Sequence, residues 1–290
     1  MLVQRSTAVP SFGSPRSAGQ TTRVTASQRI LRGVPRAPTT AAEALEALAT
    51  VSRRLRAESD PRAIFPDVYA VITRRVRDAL EREEDPLFIE PRFISRLAGR
   101  FCEMYLAALQ RSLDAEPERI GAWRAADRAR LRPGAIPSEH AILGLNAHIN
   151  FDLALGLLVN VLSFGGDGDA ARMARFLHDH DAVNRILAEA LPEALALLAD
   201  RYECPAARLL LDAGEARAPI DALVLFTLAR WRARVWSDLL DLLRAPGPVE
   251  RAHVESRMNR RSSALARVFS LPTLLPAWTR RARPLYAARS

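Results

Sequence analysis

Four polar side chains occupy alternate positions in one short stretch: Asn146, His148, Asn150 and Asp152 of NAHINFD. The stretch lies within HAILGLNAHINFDLALGLLVNVLSF, residues 140–164, which is otherwise almost wholly apolar. Alternation is the rhythm of a strand, but a run of more than twenty residues with Ala and Leu throughout predicts a buried helix. At about 100° per residue, Asn146 and Asn150 fall within about 40° of each other, as do His148 and Asp152, and the two pairs stand roughly 160° apart. One pair can then face a cavity while the other ties the helix to its neighbours, and His148 with Asp152 is the pair expected at the cavity. A carboxylate beside an imidazole orients the ring and is expected to raise its pKa toward working pH, which makes a general acid/base pair.

Four buried polar groups need partners, because each one left unsatisfied costs about 1–3 kcal/mol. Two segments offer them. FLHDHDAVNRIL, residues 176–187, carries Asp181 and Asn184 at i,i+3, and ARWRARVWSDLL, residues 229–240, carries Arg232 and Trp236 at i,i+4. The expected catalytic set is His148, Asp152 and Asp181, with Asn146, Asn150, Asn184, Arg232 and Trp236 positioning a substrate. The same His148, Asp152 and Asp181 atoms are the expected ligands if a divalent metal serves as cofactor, although HxxxD lacks the HExxH or ExxH spacing of well-known helical metal sites. His140, His178, His180 and His253 are expected at the surface, and Trp231 and Trp236 in the core. No GxSxG or DDxxD is present, and GGDGD at 165–169 has neither a preceding strand nor the GxxxxGK[ST] pattern of a phosphate loop. The competing reading is that a buried His–Asp pair only fixes the packing register.

LGLNAHINFDLAL resembles the signature of an uncharacterised bacterial and fungal family, known only as a domain of unknown function. The resemblance rests on N-A-H-I-N-aromatic-D-L at Asn146–Leu153, D-x-x-N at Asp181–Asn184 and R-x-x-x-W at Arg232–Trp236, and covers about residues 60–245. It implies a shared fold and a site where the three segments meet, but no reaction.

The elements that must position these residues read as helices throughout. Hydrophobic residues make up 49% of the 290, enough for a substantial core, with few aromatics and abundant Ala and Leu. Thr40-Ala-Ala-Glu43 predicts a capping box opening the first helix. Further helices are expected near 65–83, 91–113, 117–131, 138–164, 170–201, 219–244 and 249–268, the 170–201 helix bent at Pro192. The fold class is all-α: one bundle-like domain, residues 40–268, around a buried central helix. Residues 1–39 are expected to form a disordered basic tail, available to dock a partner protein, and residues 269–290 a basic Pro-containing tail.

All 42 basic residues are Arg. Uniform Arg-for-Lys usage points to coding bias in a GC-rich bacterial genome and weakens arguments from single arginines. Of the net +9, the first forty residues carry +6 and the last forty +8, which leaves −5 for residues 41–250. Basic ends allow non-specific contact with nucleic acid or anionic membrane, the least favoured reading of partners. Neither a secretory leader nor a transmembrane span is expected, since the longest uncharged apolar run is residues 153–164. Cys102 and Cys204 form no CxxC pair and are expected to be reduced in a cytoplasmic protein. The function expected is that of a small-molecule enzyme with hydrolase- or lyase-type acid/base or metal-assisted chemistry. The alternative is a non-catalytic helical binding or scaffold protein.

Overall fold

The computed structural model describes residues 25–116, 118 and 120–270. The elements in chain order are α1 (Ala26–Ile30), α2 (Ala41–Ala57), α3 (Ile64–Leu80), α4 (Pro91–Leu113), α5 (Gly121–Ala129), α6 (Pro137–Ala147), a π turn (His148–Asp152), α7 (Leu153–Ser163), α8 (Ala170–Arg201), α9 (Pro205–Leu211), α10 (Arg217–Arg244) and α11 (Pro248–Phe269). Short 3₁₀ turns precede α3 and α10. The described residues contain no strand, and the fold is all-α.

Pro at the first helical position opens α4, α6, α9 and α11, where its missing N–H and fixed φ are no liability. Thr40 caps α2 through its hydroxyl, which accepts from Glu43 N–H at 3.1 Å. The reciprocal half of the expected box is shifted by one residue: the Glu43 carboxylate accepts from Thr39 N–H at 2.7 Å. A complete box instead sits at Thr25 and Gln28, opening α1. Residues 25–39, expected to belong to a disordered tail, are therefore part of the folded domain. Ile30, Leu31 and Val34 are buried against α2 and α4, and Gly99 is a glycine because a Cβ there would come within 2.5 Å of the Pro38 carbonyl oxygen. Residues 1–24 and 271–290 lie outside the described residues.

Three apolar clusters surround the central helix. One joins α1 to α6, the second joins α4, α7, α8, α10 and α11, and the third packs α3 and α6 against the end of α8 and α9. The central helix, α6 through α7, runs unbroken from Pro137 to Ser163 and is long and apolar enough to cross a membrane, with a mean hydropathy of 1.5. It exceeds the uncharged 153–164 run because the Asn, His and Asp side chains sit inside it. In this structure 72% of its most apolar window is buried in the protein's own core, which fits the centre of a soluble bundle.

Buried carboxylates lock the shell. Asp179 on α8 accepts from Ile89 N–H and Glu90 N–H, both at 2.7 Å, holding α8 to the start of α4. Asp67 on α3 binds Arg56 of α2 and Tyr202 Oη beyond α8. Asp238 on α10 binds Arg261 of α11.

Candidate active site

The centre of the molecule is the π turn. Leu153 N–H bonds to the His148 carbonyl, five residues back, so NAHINFD carries one residue more than an α-helical turn would hold. Both i,i+4 pairs predicted from the sequence form across it. Asn150 Nδ2 donates to Asn146 Oδ1 at 3.0 Å, and His148 Nδ1 lies 2.9 Å from Asp152 Oδ2.

The pairs do different things. Asn146 Nδ2 donates to the Ser262 carbonyl of α11 at 2.9 Å, so the Asn pair ties the central helix to its neighbour. Among the described residues the His148 and Asp152 side chains make no such tie to a main chain. Asp152 Oδ2 also accepts from Trp123 Nε1 of α5 at 3.0 Å. An indole N–H can only donate, so Oδ2 is an acceptor, and the bond to His148 places the imidazole proton on Nδ1. The lone pair then sits on Nε2, which is buried and meets no hydrogen-bond partner among the described residues.

Aromatic side chains enclose the ring. Phe101 stacks on His148 with ring centroids 3.3 Å apart, and Tyr69 meets it edge-on at 4.9 Å. Phe65, Trp123 and Tyr105 complete the cage at 5.8, 6.0 and 6.2 Å. Gly144 makes this packing fit, since a Cβ there would run into the Phe65 ring. With His148 only 2% exposed, burial lowers its pKa below 6.5 and outweighs the opposing pull of Asp152. The expected rise is thus reversed, because desolvation of the imidazolium in an aromatic shell exceeds one carboxylate's support.

His148 opens on a pocket of about 90 Å³ between α3, α4, α8 and α10. Its wall is apolar except for Tyr69, Thr73, His148, His180 and Arg232. His180, expected at the surface, is fully buried, with its Nε2 3.1 Å from the Arg232 carbonyl and its Nδ1 3.2 Å from Arg232 Nη2. Burial, and then the Arg232 charge, push its pKa well below 6.5. Arg232 Nη2 also donates to the His180 carbonyl, and burial brings its pKa down to about 10.

The expected residues therefore divide. His148 and Arg232 line one pocket, and the three motif-bearing segments meet there. Asp152 stands behind His148. Asn146 and Asn150, expected to position a substrate, bond to the Ser262 carbonyl of α11 and to each other, and neither lines this pocket. Trp236 is core, its ring 5.4 Å from that of His180. Asn184 is half-buried beside the wall, and its Oδ1 lacks a partner. Asp181 is exposed on α8, so it joins neither the catalytic pair nor a metal set with it. Asp179 and His180 take the inward positions that Asp181 was expected to hold. Among the described residues no three His, Cys, Asp or Glu side chains gather as a metal-ligand group. Sequence reading missed the cage, although Phe65/Tyr69 and Phe101/Tyr105 are two aromatic i,i+4 pairs on successive helices, a spacing that puts each pair on one face.

Fold and site define an all-helical domain with a tautomer-locked histidine on an internal apolar pocket. The chain belongs to a family of unknown function, DUF5995, whose model matches residues 41–272. No curated protein and no solved structure matches it.

Proposed function

We propose that the protein is a small-molecule enzyme in which His148 Nε2 is the general base and Asp152 the residue that orients it. The observation that carries this reading is the split between the two ring nitrogens: Nδ1 is bonded to Asp152, while Nε2 is buried, unpartnered and on a pocket. A ring used only to fix packing would satisfy both nitrogens, since an orphaned buried acceptor costs about 1–3 kcal/mol. Burial keeps the imidazole neutral at pH 7, the form that takes a proton. A base of this kind abstracts a proton from a substrate carbon or hydroxyl, or from a water that attacks it, so lyase-type and hydrolytic chemistry both lie within reach. Arg232, on the same wall, supplies a fixed positive charge toward an oxygen of the substrate. Cys102 and Cys204 are free and buried, and burial pushes the Cys102 thiol up to about 12, in keeping with unreactive cysteines in a cytoplasmic protein.

The test is a screen of short-chain esters, amides and hydroxy acids with the wild type and His148→Gln. A catalytic base contributes about 10²–10⁴-fold, so the variant should lose that factor in kcat/KM while keeping its helical circular dichroism. Equal turnover by the two proteins would remove His148 as the base, and no turnover by either would favour the non-catalytic binding role.

A further inference from the structure

We infer that the pocket binds a short-chain monocarboxylate, with its carboxylate on the Arg232 guanidinium and its apolar body against Val76, Leu97, Phe101 and Leu153. This names the substrate class for the acid/base reading above and rests on that reading only for what His148 does to the bound molecule.

The argument is one of charge. Arg232 is 6% exposed and stands in the middle of α10. A buried guanidinium is normally paired with a carboxylate, because an unpaired ion carries a desolvation penalty of several kcal/mol. Among the described residues no carboxylate forms an ion pair with Arg232, and its Nε has no hydrogen-bond partner. Its contacts are to the His180 carbonyl and to a ring that burial holds neutral. Asp181 exerts some attraction, but from the exposed side of α8.

The other buried acids are already engaged. Asp152 serves His148 and Trp123, and Asp179 serves two main-chain N–H groups. Asp238 serves Arg261, and Asp67 serves Arg56 and Tyr202. The site thus holds a lasting positive charge with no carboxylate in contact with it among the described residues, on the wall of an apolar pocket. A ligand carboxylate answers it with the planar geometry that a guanidinium matches.

Size and wall chemistry narrow the class. A cavity of about 150 Å³ accommodates benzene, so about 90 Å³ suits a molecule of four or five heavy atoms. One cation calls for one negative charge. The Thr73 hydroxyl is committed to the Tyr69 carbonyl at 2.9 Å, and the Tyr69 hydroxyl, buried on the same wall and without a hydrogen-bond partner among the described residues, adds a neutral donor but no second positive charge.

The test compares sodium propionate with propionamide, its neutral isostere of five heavy atoms, by calorimetric titration of the full chain at fixed ionic strength, with sodium chloride as control. The wild type should bind propionate at least tenfold more tightly than propionamide. Arg232→Gln should erase that preference, and Arg232→Lys should keep part of it. His148→Gln should leave propionate binding within a few-fold while abolishing turnover. Equal affinity for the two ligands, binding of neither, a chloride response as large as that of propionate, or an unchanged preference in Arg232→Gln would each overturn the inference. If Arg232→Gln fails to fold, the wild-type and Arg232→Lys comparison decides. Intact propionate selectivity together with unaffected turnover in His148→Gln would remove the acid/base reading and leave the carboxylate site standing.

Discussion

At His148 one ring nitrogen is fixed and the other is offered. The fixed one depends on the Asp152 carboxylate, whose charge can be removed without changing shape. In Asp152→Asn the amide oxygen takes the Oδ2 place, because Trp123 Nε1 can only donate to it, so Nδ1 keeps its proton and its acceptor while the negative charge that supports a protonated ring is lost. The kcat/KM should fall by part of the roughly 10²–10⁴-fold that a general base contributes. ¹⁵N chemical shifts of the imidazole should keep the pattern of a proton on Nδ1, and a proton on Nε2 or full activity would refute the role given to Asp152. Trp123→Phe should remove the second donor to Asp152 with little loss of ring volume. Hydrogen bonds to charged groups are worth about 1.5–3 kcal/mol, so urea unfolding should show a loss near 2 kcal/mol. Because burial lowers the His148 pKa, kcat/KM should rise with pH along an acid limb centred below 6.5; a limb above 6.5 would mean that Asp152 dominates after all.

At the scale of the element, the π turn lets one helix serve two purposes. It holds Asn146 and Asn150 against α11 while His148 is presented to the pocket across from them. Asn146→Ala should leave both Asn150 Nδ2 and the Ser262 carbonyl without this partner, with a loss of about 3 kcal/mol by denaturant titration and little direct effect on the pocket. Gly144→Ala acts on the other face. The added methyl collides with Phe65, and overpacking of this kind costs about 1–3 kcal/mol. Phe65 belongs to the cage around His148, so this substitution should also change kcat/KM. A melting temperature and activity both equal to wild type would show that Phe65 yields freely.

For the whole molecule, the notable terms are histidines held neutral by burial. The pKa values of His140, His148 and His180 all lie below 6.5, that of His140 at about 4, with burial the largest cause in each case. Each group is protonated more readily in the unfolded chain than in the folded one. Their stabilising effect is full above about 6.5 and is lost as pH falls below it, with the His140 share gone by about 4. Asp67 adds a loss in the same direction below its ordinary 3.8, because bonds from Arg56, Tyr202 and Ser52 together exceed the burial that opposes them. Urea unfolding free energy should therefore decline from pH 7 to pH 4, and a flat profile would contradict the neutral-core picture.

The sequence by itself determined the longer helices, though not α1 or α9, and the pairing within NAHINFD. Apolar periodicity and helix-opening prolines act over a few residues, so α4 was legible to the residue and the i,i+4 pairs His148/Asp152 and Asn146/Asn150 could be drawn before any neighbour was known. The three meeting segments were legible as motifs. Only the tertiary structure decided which side chain of each segment turns inward. On α8 one position separates Asp181 at the surface from His180 in the core, a rotation of about 100° that local sequence does not fix. The direction of the His148 pKa shift was also decided there. A carboxylate four residues away is visible in the sequence, whereas the aromatic shell that strips water from the ring comes from α3, α4 and α5, as many as 83 positions distant at Phe65. Nothing local shows that Arg232 lacks a carboxylate: its isolation follows from where every other buried acid in the fold is already bound.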